Sequence, residues 1–183
     1  MFDAFPRRHP GMSVWEAVTT GFDGGFVPLT RNANAQQRRI GGVGWVDVAS
    51  EGPGFAPNAE IESIRSWRVQ RCWEVLEALG PASWAPGRGE TRSFASLSFS
   101  SLSPGEQRLV LLMRALVSRP PLVLLDEVWS GMDDTMIAAA RRYLRADEGL
   151  DGRQAVVVVT HWEDEVPWTR SEVKKYKLEG ASI

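Results

Sequence analysis

Cysteine is nearly absent from this sequence: 183 residues contain one, Cys72. An internal disulfide is excluded, and a reducing compartment fits. An excess of charge of either sign is also missing. Twenty-one basic residues stand against 23 acidic ones, for a net charge of −2 and an isoelectric point near 5.8. Binding to a polyanion by counterion release needs a basic face. Here only short pairs such as Arg38-Arg39 occur, and these read as solvated loop charges. Nucleic acid is therefore not an expected partner. No apolar run approaches the roughly 20 residues of a membrane span. The N-terminal MFDAFPRRHPGM lacks an apolar signal core and is too broken by proline for a transit helix. These absences lead to the expectation of a soluble intracellular protein, in the cytoplasm, of one domain or two small subdomains.

What is present divides into two halves. In the first, Ser13 followed by Glu16 reads as the cap of a short helix over 13–20. Residues 28–58 are rich in Gly, Asn, Gln, Pro and Ser and read as a long irregular segment. Residues 59–79 carry Ile61, Ile64, Cys72, Val75 and Leu79 at helical spacing, and Gly80-Pro81 stops that helix. Cys72 lies on its apolar stripe, so a buried thiol is expected. Arg68 interrupts the stripe and Trp67 lies at its edge. Residues 81–101 read as a second loop.

In the second half the pattern changes. Ser103-Pro104-Gly105-Glu106 is a capping box with proline in the first turn. It starts a helix, and it can also present free N–H groups to an anion. Leu122 to Leu125 and Ala155 to Val159 are continuous apolar runs. Such runs predict strands buried on both faces, as in a parallel sheet. A helix over 134–146, bearing Ile137, Ala140 and Leu144, joins them into a βαβ unit. The first strand ends in Asp126-Glu127 and the second in Thr160-His161. Ligand crevices of α/β sheets open at these carboxyl ends. Ser130-Gly131-Met132-Asp133 reads as a turn into a helix capped by Asp133 or Asp134. Residues 172–178 could add a last strand. The eight tryptophans read as packing residues, except Trp129 and Trp162, which follow motif residues closely.

In this order and spacing, the motifs resemble the second half of an ABC-type ATPase cassette. LSPGE resembles the signature motif, LVLLDE the Walker B strand, SGMD the D-loop and Thr160-His161 the H-loop. The likeness is close over residues 102–162 and looser over 1–101, which resemble the helical subdomain preceding the signature. The stretch from Phe5-Pro6-Arg7-Arg8 to Gly21-Phe22 is similar to soluble twin-cassette ABC proteins of the ModF/PhrA kind, in a fungal-looking version. The implied fold class is α/β, a truncated P-loop NTPase (RecA-like) parallel sheet preceded by an ABC helical subdomain. Residues 1–118 would form that subdomain, and 119–183 the C-terminal half of the core.

The resemblance implies ATP and Mg²⁺ as cofactors, with Asp126 supporting the metal, directly or through water. Glu127 would be general base toward the hydrolytic water, and His161 would contact the γ-phosphate. Ser103 and Gly105 would close on an ATP held by another ABC cassette, and Asp133 would bridge the two cassettes. Two departures stand out. Pro104 and Glu106 replace the family's more usual Gly and Gln, and Val128-Trp129 replaces the usual Pro-Thr after Glu127. The sequence also holds no GxxxxGK[ST], no glutamine loop and no aromatic-bearing strand ahead of the helical part to stack adenine. In this class the phosphate-binding loop supplies most of the grip on ATP. Two readings follow. One is a partial ATP-hydrolysing cassette, inactive alone and completed in a longer product or in trans. The other is a non-catalytic module that regulates an intact cassette by pairing with it. The resemblance also places the His161 strand between the strands of Walker A and Walker B. One edge of Ala155 to Val159 would then be bare in the isolated chain, an uncharged β-branched window prone to aggregation.

Overall fold

The computed structural model describes residues 11–23, 37–39, 45–47, 59–87, 89–169 and 171–176. The chain begins there with helix α1, Val14–Thr19. The Ser13 hydroxyl accepts from the Glu16 N–H while the Glu16 carboxylate accepts from the Ser13 N–H, so the expected capping box is formed. A 3₁₀ turn, Thr20–Asp23, ends the element. Within the stretch read as irregular, β1 (Gln37–Arg39) and β2 (Trp45–Asp47) pair antiparallel. The remainder of that stretch lies outside the described residues.

Helix α2 spans Ala59–Leu79, as the periodicity predicts. Cys72, Val75 and Leu79 are fully buried; the side chains of Ile61 and Ile64 lie outside the described set. Residues 81–101 are not a loop. They form α3 (Pro81–Trp84), α4 (Thr91–Ser96) and a 3₁₀ turn at Phe99–Ser101. Neither short helix has a side-chain cap. What holds them is burial of Trp84, Phe94 and Phe99. The Trp84 indole also donates to the Leu79 carbonyl.

Helix α5, Pro104–Leu116, repeats the capping box at Ser103 and Glu106. It buries Leu109, Val110, Leu112, Met113 and Leu116, and packs against α1 and α2. Each such aliphatic side chain contributes about 1.5–3 kcal/mol on leaving water. Strand β3 (Leu122–Asp126), helix α6 (Asp134–Arg145) and strand β4 (Ala155–Val159) form the βαβ unit. The strands are parallel, with Leu122 opposite Ala155 and Asp126 opposite Val159. The register is pinned where the Ala155 N–H donates to the Pro121 carbonyl and the Gln154 amide to that of Pro120. Residues 171–176 are not strand; 177–178 lie outside the described residues.

One apolar cluster draws on α1, α2, α5, β3 and α6. It covers a single face of the sheet. Val123 and Leu125 are buried in it, with Val156 and Val158 packed against it. The opposite face carries Leu122, Leu124, Val157 and Val159, which are 52, 68, 48 and 50% exposed. The expectation of burial on both faces therefore holds for one face only. A continuous apolar run records that both faces suit an apolar environment; among the described residues, helices supply that environment on one side.

The described residues thus form a mixed helix and strand fold with a two-stranded parallel sheet, consistent with the expected truncated P-loop NTPase fold. No helix among the described residues is long and apolar enough to cross a membrane.

Candidate functional site

Parallel pairing of β3 and β4 in this register brings two strand ends together. Glu127 directly follows β3 and His161 lies two residues beyond β4. The His161 Nε2 stands 2.9 Å from the Glu127 Oε1. Both side chains face water, at 81% exposure for His161 and 52% for Glu127. A polar contact so exposed contributes little stability.

The backbone at Glu127 is unusual for a glutamate. Its φ is +42°, a left-handed conformation that costs a residue with a Cβ about 1–2 kcal/mol. Three hydrogen bonds hold it there. Its N–H donates to the Val159 carbonyl at 3.0 Å. Its carbonyl accepts from Arg108 Nη1 at 3.0 Å and from the Ser130 N–H at 3.3 Å. Arg108 lies on α5, so the helix begun by Ser103 is tied directly to the turn that presents Glu127. The sequence reading did not single out Arg108. The signal was its place on the helix that Ser103 caps, five residues past it, but its partner lies 19 residues further on.

The remaining expected residues divide into two groups. Gly105 is buried, and a Cβ added to it would lie 2.5 Å from the Gly131 carbonyl oxygen and 3.2 Å from the Met132 Cα. Its glycine is thus required by contact with the 130–133 turn. Asp133 caps α6: its Oδ1 accepts from the Met136 N–H at 2.8 Å and from the Thr135 hydroxyl at 2.6 Å. Ser103 is exposed with its hydroxyl engaged in the capping box, and Asp126 is exposed at the end of β3. Glu127 and His161 are therefore joined directly, and Gly105 meets the turn leading to Asp133. Ser103 and Asp126 border this group without a direct bond to the pair.

One family model, described as ABC transporter, matches residues 10–130. The chain belongs to the ABC transporter family. It is 41% identical over 78 residues to an uncharacterized ABC transporter ATP-binding protein of Schizosaccharomyces pombe, covering 43% of this chain and 16% of that protein. It is 34% identical over 84 residues to the ABC transporter ATP-binding protein ModF of Escherichia coli, covering 46% and 17%. It is 39% identical over 173 residues to the Fe(3+) ions import ATP-binding protein FbpC of Serratia marcescens, covering 85% of this chain and 46% of that one. The chain thus spans less than half the length of each of these relatives. No solved structure matches it. Among the described residues the one parallel strand pair ends in two carboxylates on one strand, with a histidine shortly after the other.

No group of three or more His, Cys, Asp or Glu side chains able to hold a metal occurs among the described residues. The donors at the end of β3 are carboxylate oxygens, exposed on Asp126 and Glu127, the donor type that hard divalent cations take.

Proposed function

We propose that this chain is the part of an ATP-hydrolysing ABC cassette that supplies the carboxylate base and the γ-phosphate contact. The observation that carries the reading is the 2.9 Å contact of His161 with Glu127 at the carboxyl ends of two paired parallel strands. Glu127 takes a proton from the attacking water as its oxygen bonds to the γ-phosphorus; the bond from that phosphorus to the β–γ bridging oxygen breaks, and ADP leaves with the electron pair. Proton transfer by a positioned carboxylate supplies about 10²–10⁴ in rate. The imidazole of His161 donates to a γ-phosphate oxygen. Asp126 would hold Mg²⁺, directly or through water, and the ion would supply neutralising charge to the transferred phosphoryl group.

Ser103 stands at the N-terminus of α5, where orphan N–H groups favour an anion. With Gly105 it closes on the γ-phosphate of an ATP held by another cassette, and Asp133 lies at the junction of the two. The phosphate-binding loop comes from another segment, in a longer product or from a partner cassette. Residues 1–118 act as the helical subdomain and 119–183 as the core half. Placement in the cytoplasm accords with the reading.

The test is to purify the natural protein with an antibody to residues 163–183 and measure its size and MgATP turnover. Turnover in a band well above the 20.3 kDa of this chain places the phosphate-binding loop in the same product. Turnover at the chain's own size, with a second ABC cassette co-purifying, places the loop in trans. Absence of turnover, with an intact cassette still bound, contradicts the hydrolytic reading and leaves a non-catalytic pairing module.

A further inference from the structure

Residues 162–168, just past His161, are tied to the far side of the site by contacts that do not involve Asp126, Glu127 or His161. Trp129, two residues after Glu127, is 4% exposed. Its indole Nε1–H donates to the Glu165 carbonyl at 2.8 Å. Arg141 on α6 lies over the Trp129 ring, 5.5 Å from its centroid, and donates to the Asp164 carbonyl at 2.6 Å. Arg145, one turn on, donates to the Pro167 carbonyl. At the near end the Thr160 hydroxyl donates to the Glu165 carboxylate. His161 is thus bracketed by a residue that bonds Glu165 and by a strap whose backbone is held at 164, 165 and 167.

His161 itself has no packing to fix it, being 81% exposed. The position of its ring follows from the backbone on either side. Residues 161–164 are all exposed, and the strap's own regular structure is one 3₁₀ turn, Glu163–Glu165. A phenyl ring at 129 would fill part of this space; only an indole places an N–H on the Glu165 carbonyl.

We propose that Trp129 is a positioning residue, fixing the 162–168 strap through the Glu165 carbonyl and so holding the His161 imidazole against the Glu127 carboxylate. Its importance for hydrolysis rests on the role proposed for that pair, but the contact is tested without ATP, so either idea can fail alone.

The test reads the imidazole Cε1–H signals of the full chain by NMR. The sequence has two histidines, His9 and His161, and His161→Gln assigns the second. Glu127→Gln marks where the signal goes when the pair is broken. Trp129→Phe keeps a ring beneath Arg141 and removes the donor. The expected result is a His161 signal displaced toward its Glu127→Gln position. The Glu165 and Val166 amides, which bond the carbonyls of Trp162 and Glu163, should exchange about fivefold faster, the loss of one hydrogen bond. Amides of α5 should keep their rates. Arg141→Met leaves the indole in place and should move both readings the same way; it serves if Trp129→Phe does not fold. A His161 signal unmoved in whichever of these variants is folded overturns the proposal, even if exchange in the strap quickens.

Discussion

Two side chains on α2, adjacent in sequence, show how burial sets chemistry at the scale of a residue. Cys72 is fully buried, and burial pushes its thiol up to about 12, with Arg71 and Arg68 opposing the shift. The thiolate is the reactive form. A thiol reagent at pH 8 should therefore leave the folded chain unlabelled and react with Cys72 promptly in urea; rapid labelling without denaturant would contradict this. The same shift predicts a loss of stability as pH rises above 9, where the unfolded thiol ionises and the folded one does not.

Its neighbour Arg71 is 1% exposed, which no pattern in α2 announced. Its Nη2 donates to the Tyr143 hydroxyl at 2.9 Å, and that hydroxyl donates in turn to the Glu148 carbonyl. Burial raises the Tyr143 pKa, with Arg71 again opposing, so the phenol stays neutral and able to donate. Tyr143→Phe leaves a buried guanidinium nitrogen without this partner. Urea denaturation should show a loss of about 1–3 kcal/mol. A loss near zero would mean that water replaces the phenol.

Elements differ in how much of them the sequence revealed. Both capping boxes were legible because Ser13-Glu16 and Ser103-Glu106 are complete within four residues. Helix α2 was legible because its stripe is long. The short helices α3 and α4 were not, since four or six residues carry no usable period and their stability comes from Trp84 and Phe94 meeting distant partners. The pairing of β3 with β4 followed from their composition, but which face was covered did not. At the site, the nearness of Glu127 and His161 was legible, because the two follow the ends of strands expected to lie side by side. The Arg108 bond and the Trp129 clamp were not, because each closes over 19 residues or more.

The contact of α5 with the 130–133 turn is a property of elements. Gly105→Ala would place a methyl 2.5 Å from the Gly131 carbonyl oxygen, backbone against backbone. The turn or the helix must shift, at a cost of about 1–3 kcal/mol. Thermal unfolding should register it, and NMR shifts should concentrate at 130–134. An unchanged melting temperature would mean that α5 does not rest on this turn.

At the scale of the whole molecule, the dominant feature is the exposed apolar sheet face, which no described element covers. Leu122, Leu124, Val157 and Val159 lie together on it, and β4 has β3 as its only partner strand among the described residues. An apolar, uncharged strand with a free edge invites association. The chain produced by itself should therefore aggregate at micromolar concentration, and Leu124→Lys with Val157→Lys should shift it toward monomer in sedimentation. A clean wild-type monomer that unfolds cooperatively would contradict that expectation.

The central claim, that Glu127 is the base of an ATP-hydrolysing site, is tested most directly by MgATP turnover of the natural protein carrying Glu127→Gln. Turnover should fall by about 10²–10⁴ while ATP stays bound. Turnover equal to that of the wild type would contradict the account.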